Sequence, residues 1–340
     1  LGVPEVGNHD NFFDLGGSSM IATSMFAQIE KVFGNKLPLA ILYTAPTIDQ
    51  LANVIHRGEG NAAWSSLVEI QASGSKPPLF LVHGAGGNIL LYRDLARHLG
   101  PDQPVFGLQS KGLDGQEPYY TKMVEMAAHY LKEVQAIQPN GPYFLGGYCM
   151  GGTVAFEMAQ QLEAHGQETS LLALFETYDF SNIPTQTTFD KAYYYLQKFE
   201  FHWRNFLLLN SKDKRIFFKE KFKVLKGRSR VWLGTLTSKM DNISHKAAGQ
   251  ASTLSRLWQI NDEACLVYVP KAYKGRITQF IPIKEYAHHL GPELGWEKIA
   301  PGRLEVVQLP VYPAGMLVEP FVELLSEKLE SCIKDVIKEQ

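Results

Sequence analysis

Apolar and polar positions follow two different patterns along this chain. Up to about Arg57 the pattern is helical. In "SSMIATSMFAQIEKVFG", Ile21, Met25, Ile29 and Val32 recur on one predicted stripe, and Gly34 marks its end. A short apolar stretch around Ile41 follows, and "TIDQLANVIH" predicts a second helix opened by a Thr or Pro cap. From Pro78 the pattern changes to short apolar runs: "LFLVHG", "PVFGLQ", "YFLGGY", "SLLALFE", "RITQFIP" and "EVVQLP". Helical patterns such as "MVEMAAHYLKEVQAI" and "TVAFEMAQQLEAHG" lie between the earlier ones, the second closing on Gly166. This alternation predicts parallel βαβ units in a covered sheet. It stops between Phe180 and Glu263, where a long aromatic and basic stretch rich in helix formers reads as a lid. The expected organisation is a small all-α unit over 1–58 and a linker over 59–76. An α/β domain over 77–340 follows, with the lid at about 180–262. A first strand is expected near Leu67 to Ile70, where the linker ends.

Composition narrows the function classes. At 340 residues two domains are expected, and 45% apolar with 20% charged residues describes an ordinary globular protein. A net charge of −2 gives no electrostatic case for nucleic acid. Three cysteines, Cys149, Cys265 and Cys332, are too few and scattered for a disulfide framework or a metal cluster. No apolar run reaches bilayer-spanning length and no signal layout opens the chain, so the expected setting is cytoplasmic, with no membrane partner. The first residue is not Met, as expected of a fragment of something longer.

Two motifs carry chemistry. "GYCMG" stands between an apolar run and a helical one, as the nucleophile elbow G-x-S-x-G does, with Cys149 at the serine position. A thiol at a strand-to-helix turn faces a helix N-terminus, which is expected to lower its pKa. The alternative is a small buried thiol of no reactivity. "DNFFDLGGSSM" places Ser19 at a predicted helix start, where free N–H groups favour a phosphodiester. Serving as a helix cap is the plainer role for Ser18 or Ser19.

"DNFFDLGGSSM" resembles the attachment motif of acyl and peptidyl carrier proteins, which implies a four-helix carrier domain with 4'-phosphopantetheine on Ser19. The second domain resembles type I thioesterases of the α/β-hydrolase fold, the release domains of non-ribosomal peptide and polyketide assembly lines. That resemblance spans Leu79 to Leu329 and rests on "LFLVHGAGGN", "GPYFLGGYCMGGTVAFEMAQQLEAHG", "YVPKAYKGRITQF", "ELGW" and "MLVEPFVELLSEKL". It implies Cys149 as nucleophile, and the backbone N–H groups of Met150 and Ala85 as oxyanion donors. His83 shapes the loop that holds Ala85. Glu176 in "LALFETY" stands where the family keeps its acid, with Asp179 as a weaker candidate.

The family's general base lies in a pattern like V-P-G-x-H-x-x-M-L-x-E-P. Here "LPVYPAGMLVEP" puts Val311 at the glycine and Pro313 at the histidine. Among the ten histidines, His202 and His245 in the lid, or His288 and His289, are displaced candidates. His98, His129 and His165 read as helix-surface residues, and His9 and His56 belong to the carrier. Cysteine for serine and proline for histidine form a consistent pair. A thiol exchanges thioesters without a base, whereas water needs one to attack.

The expectation is a terminal carrier–thioesterase unit that transfers an acyl chain rather than simply hydrolysing it. Its expected partners are upstream adenylation and condensation domains, a phosphopantetheinyl transferase, and an acyl, peptidyl or arylpyruvyl-type substrate. Hydrolysis through a displaced histidine, or a silent scaffold that binds the loaded carrier, stands as the alternative. In the lid, "SKDKRIFFKEKFKVLKGRSR" reads as a solvated amphipathic helix, with a docking face for an acidic carrier or an upstream domain as the alternative, and "AYYYLQKFEFHWRNF" as pocket lining or packing.

Overall fold

The computed structural model describes residues 5–17, 19–34, 37–57, 64–113, 119–179, 249–282, 295–311 and 315–339, of which 19–20 and 249–255 by backbone only. The expected lid up to residue 248, with both of its quoted stretches, lies outside the described residues, as do Pro313, His202, His245, His288 and His289. Leu1–Ile183 and Gln250–Gln340 form one compact unit.

Where four carrier helices were expected, described residues 5–57 hold two α-helices, α1 (Ser19–Phe33) and α2 (Ile48–Arg57), with a 3-10 turn at Leu39–Tyr43. Turn chemistry claims the stretch before α1. Asp10 Oδ2 accepts the Gly7 N–H at 2.8 Å and Asn11 Oδ1 accepts the Phe13 N–H at 2.9 Å. α1 buries Ala22 and Phe26, with Ile21, Met25 and Ile29 flanking them, while Val32 is 71% exposed. The expected stripe is therefore rotated, because the small Ala22 lets the helix approach its neighbours. Thr47 caps α2 reciprocally: its Oγ1 accepts the Gln50 N–H at 3.2 Å, and Gln50 Oε1 accepts the Thr47 N–H at 3.3 Å.

The second part is built on a seven-stranded sheet. Its strands are β1 (Leu67–Gln71), β2 (Leu79–Val82), β3 (Val105–Leu108), β4 (Tyr143–Tyr148), β5 (Thr169–Phe175), β6 (Ile277–Pro282) and β7 (Leu304–Leu309). They lie in the order β1-β3-β2-β4-β5-β6-β7. All neighbours are parallel except the edge strand β1, which runs antiparallel to β3. β1 matches the strand expected near Leu67 to Ile70 and takes up the end of the expected linker. Glu133 fixes its start by accepting the N–H groups of Ser66 at 3.2 Å and Leu67 at 2.5 Å.

Alternate residues of the central strands enter opposite cores, as strand geometry requires. Phe80, Val82, Leu172 and Leu174 face α4 (Met123–Ile137) and α5 (Met150–Ala164). Leu79, Leu81, Leu171 and Ala173 face α3 (Arg93–Leu99) and α7 (Val322–Glu339). The helix after β2 and the helix after β4 thus cover opposite faces. This leaves a crevice at the carboxyl ends of β2 and β4, where open α/β sheets bind ligands. Among the described residues no helix is long and apolar enough to cross a membrane.

Candidate active site

β4 ends at Tyr148 and α5 begins at Met150, so Cys149 alone makes the turn, at φ 55 and ψ −123. A side-chain-bearing residue in that region costs about 1–3 kcal/mol, which the surroundings must hold. They do so through the Cys149 N–H, which donates to Phe175 O at 2.9 Å, and through Cys149 O, which accepts the Gly152 N–H at 3.1 Å. The glycines make the turn sterically feasible. A Cβ on Gly147 would run into the backbone of Gly151 and Gly152, and one on Gly151 into the carbonyls of Val82 and His83. Gly147→Ala is therefore expected to lower unfolding free energy by about 3 kcal/mol in denaturant titration. An unchanged midpoint would show that the elbow is not held this way.

Cys149 is half-buried. Burial pushes its thiol pKa up, and the carboxylates of Asp262 and Glu176 act in the same direction. The Met150 N–H at the free helix end donates to the sulfur and opposes them. The expected lowering by the helix terminus is thus overturned. Desolvating a thiolate beside two carboxylates outweighs a single N–H. Cys265, buried and bonded to Thr153 Oγ1 at 3.8 Å, is pushed up to about 12, again by burial.

One neighbour is the loop after β2. His83 is fully buried, its Nδ1–H donates to Gly84 O at 2.6 Å, and its Nε2 accepts the Tyr130 hydroxyl at 2.7 Å. Burial depresses its pKa to about 4, so it stays neutral with both nitrogens engaged. It shapes the loop and is not a base. Ala85 is gripped from outside: Asn261 Nδ2 donates to Ala85 O at 3.0 Å from α6 (Gly249–Leu266). On the same helix, Leu257 lies beside Gly87 and Trp258 beside Gly86. Asn261 gave no signal in the sequence, since "WQINDEAC" shows no motif. Residues 249–262 of the expected lid thus belong to a helix that carries these contacts.

The other neighbour is the end of β5. Glu176 is buried, sits at φ 45, and its N–H donates to Phe280 O at 3.0 Å. Thr177 O accepts from Gln279 Nε2 at 2.7 Å and from Trp296 Nε1 at 2.9 Å. This clamp holds the backbone one residue beyond the strained Glu176. Gln279 and Trp296 lie in "YVPKAYKGRITQF" and "ELGW", two of the stretches that carry the family resemblance. Asp179 is also buried, beside Gly295.

The carboxyl ends of β2, β4 and β5 therefore gather Ala85, Cys149, Met150 and Glu176. Three of the other histidines are engaged elsewhere: His98 with Glu319 at 2.8 Å, His129 with Glu133 at 3.1 Å, and His165 with Gln161 O at 2.6 Å.

Ser19 is the first residue of α1, a 15-residue helix with no acidic residue in its first turn. The turn before it is closed by Gly16 N–H to Phe13 O and Gly17 N–H to Phe12 O, each 2.9 Å. A Cβ on Gly17 would overlap the Phe12 ring. A helix start free of carboxylates suits a phosphodiester.

Two family models match the chain. "Phosphopantetheine attachment site" covers residues 1–55 and "Thioesterase domain" covers residues 77–192. The chain is therefore a carrier–thioesterase didomain, and its cofactor is covalent 4'-phosphopantetheine. It is of the nonribosomal peptide synthetase type.

A "Dimodular nonribosomal peptide synthase" of Bacillus subtilis (strain 168) is 40% identical over 184 residues, which cover 54% of this chain and 8% of that protein. A crystal structure of a four-domain nonribosomal peptide synthetase, bound to AMP and glycine, matches 96% of this chain and 24% of its own. Its TM-score is 0.62 and its identity 26%. The NocB thioesterase domain, in covalent complex with a fluorophosphonate nocardicin G analogue, matches 79% of this chain and all of its own. At TM-score 0.56 and 20% identity it shows the shared fold.

Proposed function

We propose that Cys149 takes an acyl chain from the carrier at Ser19 and passes it to an acceptor other than water. The observation that carries this is the elbow itself, where a strained cysteine at φ 55 stands between glycines whose replacement the backbone forbids. Strain of that kind at a strand-to-helix turn is typical of nucleophiles.

The phosphopantetheine arm supplies a thiol that presents the chain as a thioester. Cys149 Sγ attacks the acyl carbonyl carbon, forming a new C–S bond as the old one breaks. The thiol proton of Cys149 leaves with the departing sulfur. The Ala85 and Met150 N–H groups would serve as donors to the oxygen on which charge develops, the Met150 N–H turning from the sulfur to that oxygen, and Asn261 holds the Ala85 loop through its bond to Ala85 O. Exchange of one thioester for another is nearly isoenergetic. Hydrolysis of acyl-Cys149 would instead need a base to activate water, and Pro313 stands where the family keeps that histidine. The acceptor classes that fit are an amine, a hydroxyl of the chain itself, or a stabilised carbanion closing a Claisen-type condensation.

In this reading a phosphopantetheinyl transferase modifies Ser19, and upstream adenylation and condensation domains supply the peptidyl, acyl or arylpyruvyl-type chain. The carrier segment spans 1–58, and the hydrolase domain, expected over 77–340, also takes in the edge strand β1.

Single-turnover loading followed by peptide mass analysis tests the reading. Acyl mass is expected on the Cys149 peptide and to persist there, with free acid appearing slowly. Rapid Cys149-dependent release of free acid would overturn transfer. Absence of any adduct would make the domain a silent scaffold.

A further inference from the structure

The carrier segment is packed against the residues that directly follow the Ala85 loop. Tyr43 donates its hydroxyl to Ile89 O at 2.9 Å, and Leu90 is buried in the carrier's own apolar cluster. The Arg93 guanidinium lies 4.3 Å from the centroid of the Phe13 ring and pairs with Asp14 at 3.2 Å. Its other amine is held by Asp94 at 3.1 Å, which aims the group. Phe13 and Asp14 belong to "FFDLGG", the turn that leads into Ser19.

We propose that Ile89–Arg93 is the surface on which the hydrolase domain docks its own carrier, with Arg93 recognising the Phe13–Asp14 pair of the attachment turn. The inference rests on the reading that Ser19 delivers the chain and Cys149 accepts it. Two features of the contact support it. It engages the attachment turn itself, so it sets the direction in which Ser19 is offered. It also grips Ile89, four residues beyond Ala85, so the docking surface and the oxyanion loop are one continuous segment.

The strength of the contact fits a reversible dock. Asp14 is 67% exposed, so its ion pair is weak, and the cation–π contact adds modestly. Covalent linkage through the residues between α2 and β1 raises the effective concentration of the carrier, so a weak surface suffices. A free carrier without an aromatic–acid pair at these two positions would be served poorly.

The test uses the full chain with an octanoyl-phosphopantetheine group installed on Ser19, compared with octanoyl-N-acetylcysteamine added in solution. Arg93→Glu is expected to slow octanoyl transfer from the carrier to Cys149 about tenfold while loading from the free thioester keeps its rate. Adding Asp14→Arg to Arg93→Glu restores the opposite-charge pair and is expected to recover most of the loss. Equal loss from both donors, or loss from neither, overturns the proposal. A second arm does not depend on the chemistry. In holo Cys149→Ala protein, Arg93→Glu is expected to speed amide hydrogen exchange across Phe12–Gly17, and unchanged exchange overturns docking. If octanoyl reaches Cys149 from neither donor, the acyl-transfer reading fails and the exchange arm still decides the dock.

Discussion

Cys149→Ser is expected to slow acyl loading at least about 10³-fold at neutral pH, even though it restores the residue that the elbow motif ordinarily carries. The two side chains are nearly isosteric, and the turn at φ 55 is made by backbone bonds to Phe175 and Gly152 that both residues keep. Folding is therefore expected to survive, with a thermal midpoint close to that of the parent. What changes is the acid. A thiol supplies some thiolate near neutral pH and is intrinsically nucleophilic, whereas a hydroxyl needs a base at the moment of attack. Among the described residues no histidine is bonded to residue 149, and His83 has both nitrogens committed to Gly84 O and the Tyr130 hydroxyl. Single-turnover loading with a free acyl thioester, read by mass, measures the effect. A serine variant that loads at the parental rate would show that a base reaches the elbow, and the transfer reading would fall.

The sequence made the scaffold legible where local pattern and global fold agree. The apolar runs from Leu79 onward became buried parallel strands, and the glycines around Cys149 marked the elbow because their spacing reflects backbone-to-backbone contact. Thr47 announced a cap because that chemistry is local, and the structure adds Gln50 as its reciprocal partner. The features that were not legible depend on what surrounds a residue in space. The strand near Leu67 to Ile70 was legible, but its antiparallel place at the sheet edge was not, because pairing with β3 rather than its own residues sets its direction. Periodicity gave a stripe through Val32, but which side of α1 is buried was decided by Ala22 and Phe26 meeting Leu42 and Leu51. Asn261 works through a bond to a carbonyl 176 residues away, which no local pattern encodes. The thiol shift went the other way from expectation for the same reason. A helix N-terminus is visible in sequence, whereas burial beside Asp262 and Glu176 is not.

That shift has a kinetic consequence. Loading of Cys149 from a free thioester is expected to rise about tenfold per pH unit, or about 100-fold from pH 6 to pH 8, with no plateau in that range. The sign follows from the direction of the shift. Burial raises the thiol pKa above its ordinary value near 9, so at every pH in the window the thiol form dominates and the reactive thiolate grows in proportion to hydroxide. A displaced histidine acting as base would behave differently, because its unprotonated fraction saturates once pH exceeds about 6.5. The rate would then level off near neutrality. Removing the nearest negative charges moves the profile in a defined direction. Asp262→Asn relieves one of the two carboxylate interactions that disfavour the thiolate, so it is expected to speed loading at pH 7 by a few-fold while the slope stays the same. A flat profile between pH 7 and pH 8 in the parent would assign the proton to a base with a pKa near 6.5 and would favour hydrolysis over transfer, because a group able to deprotonate Cys149 is equally able to activate water.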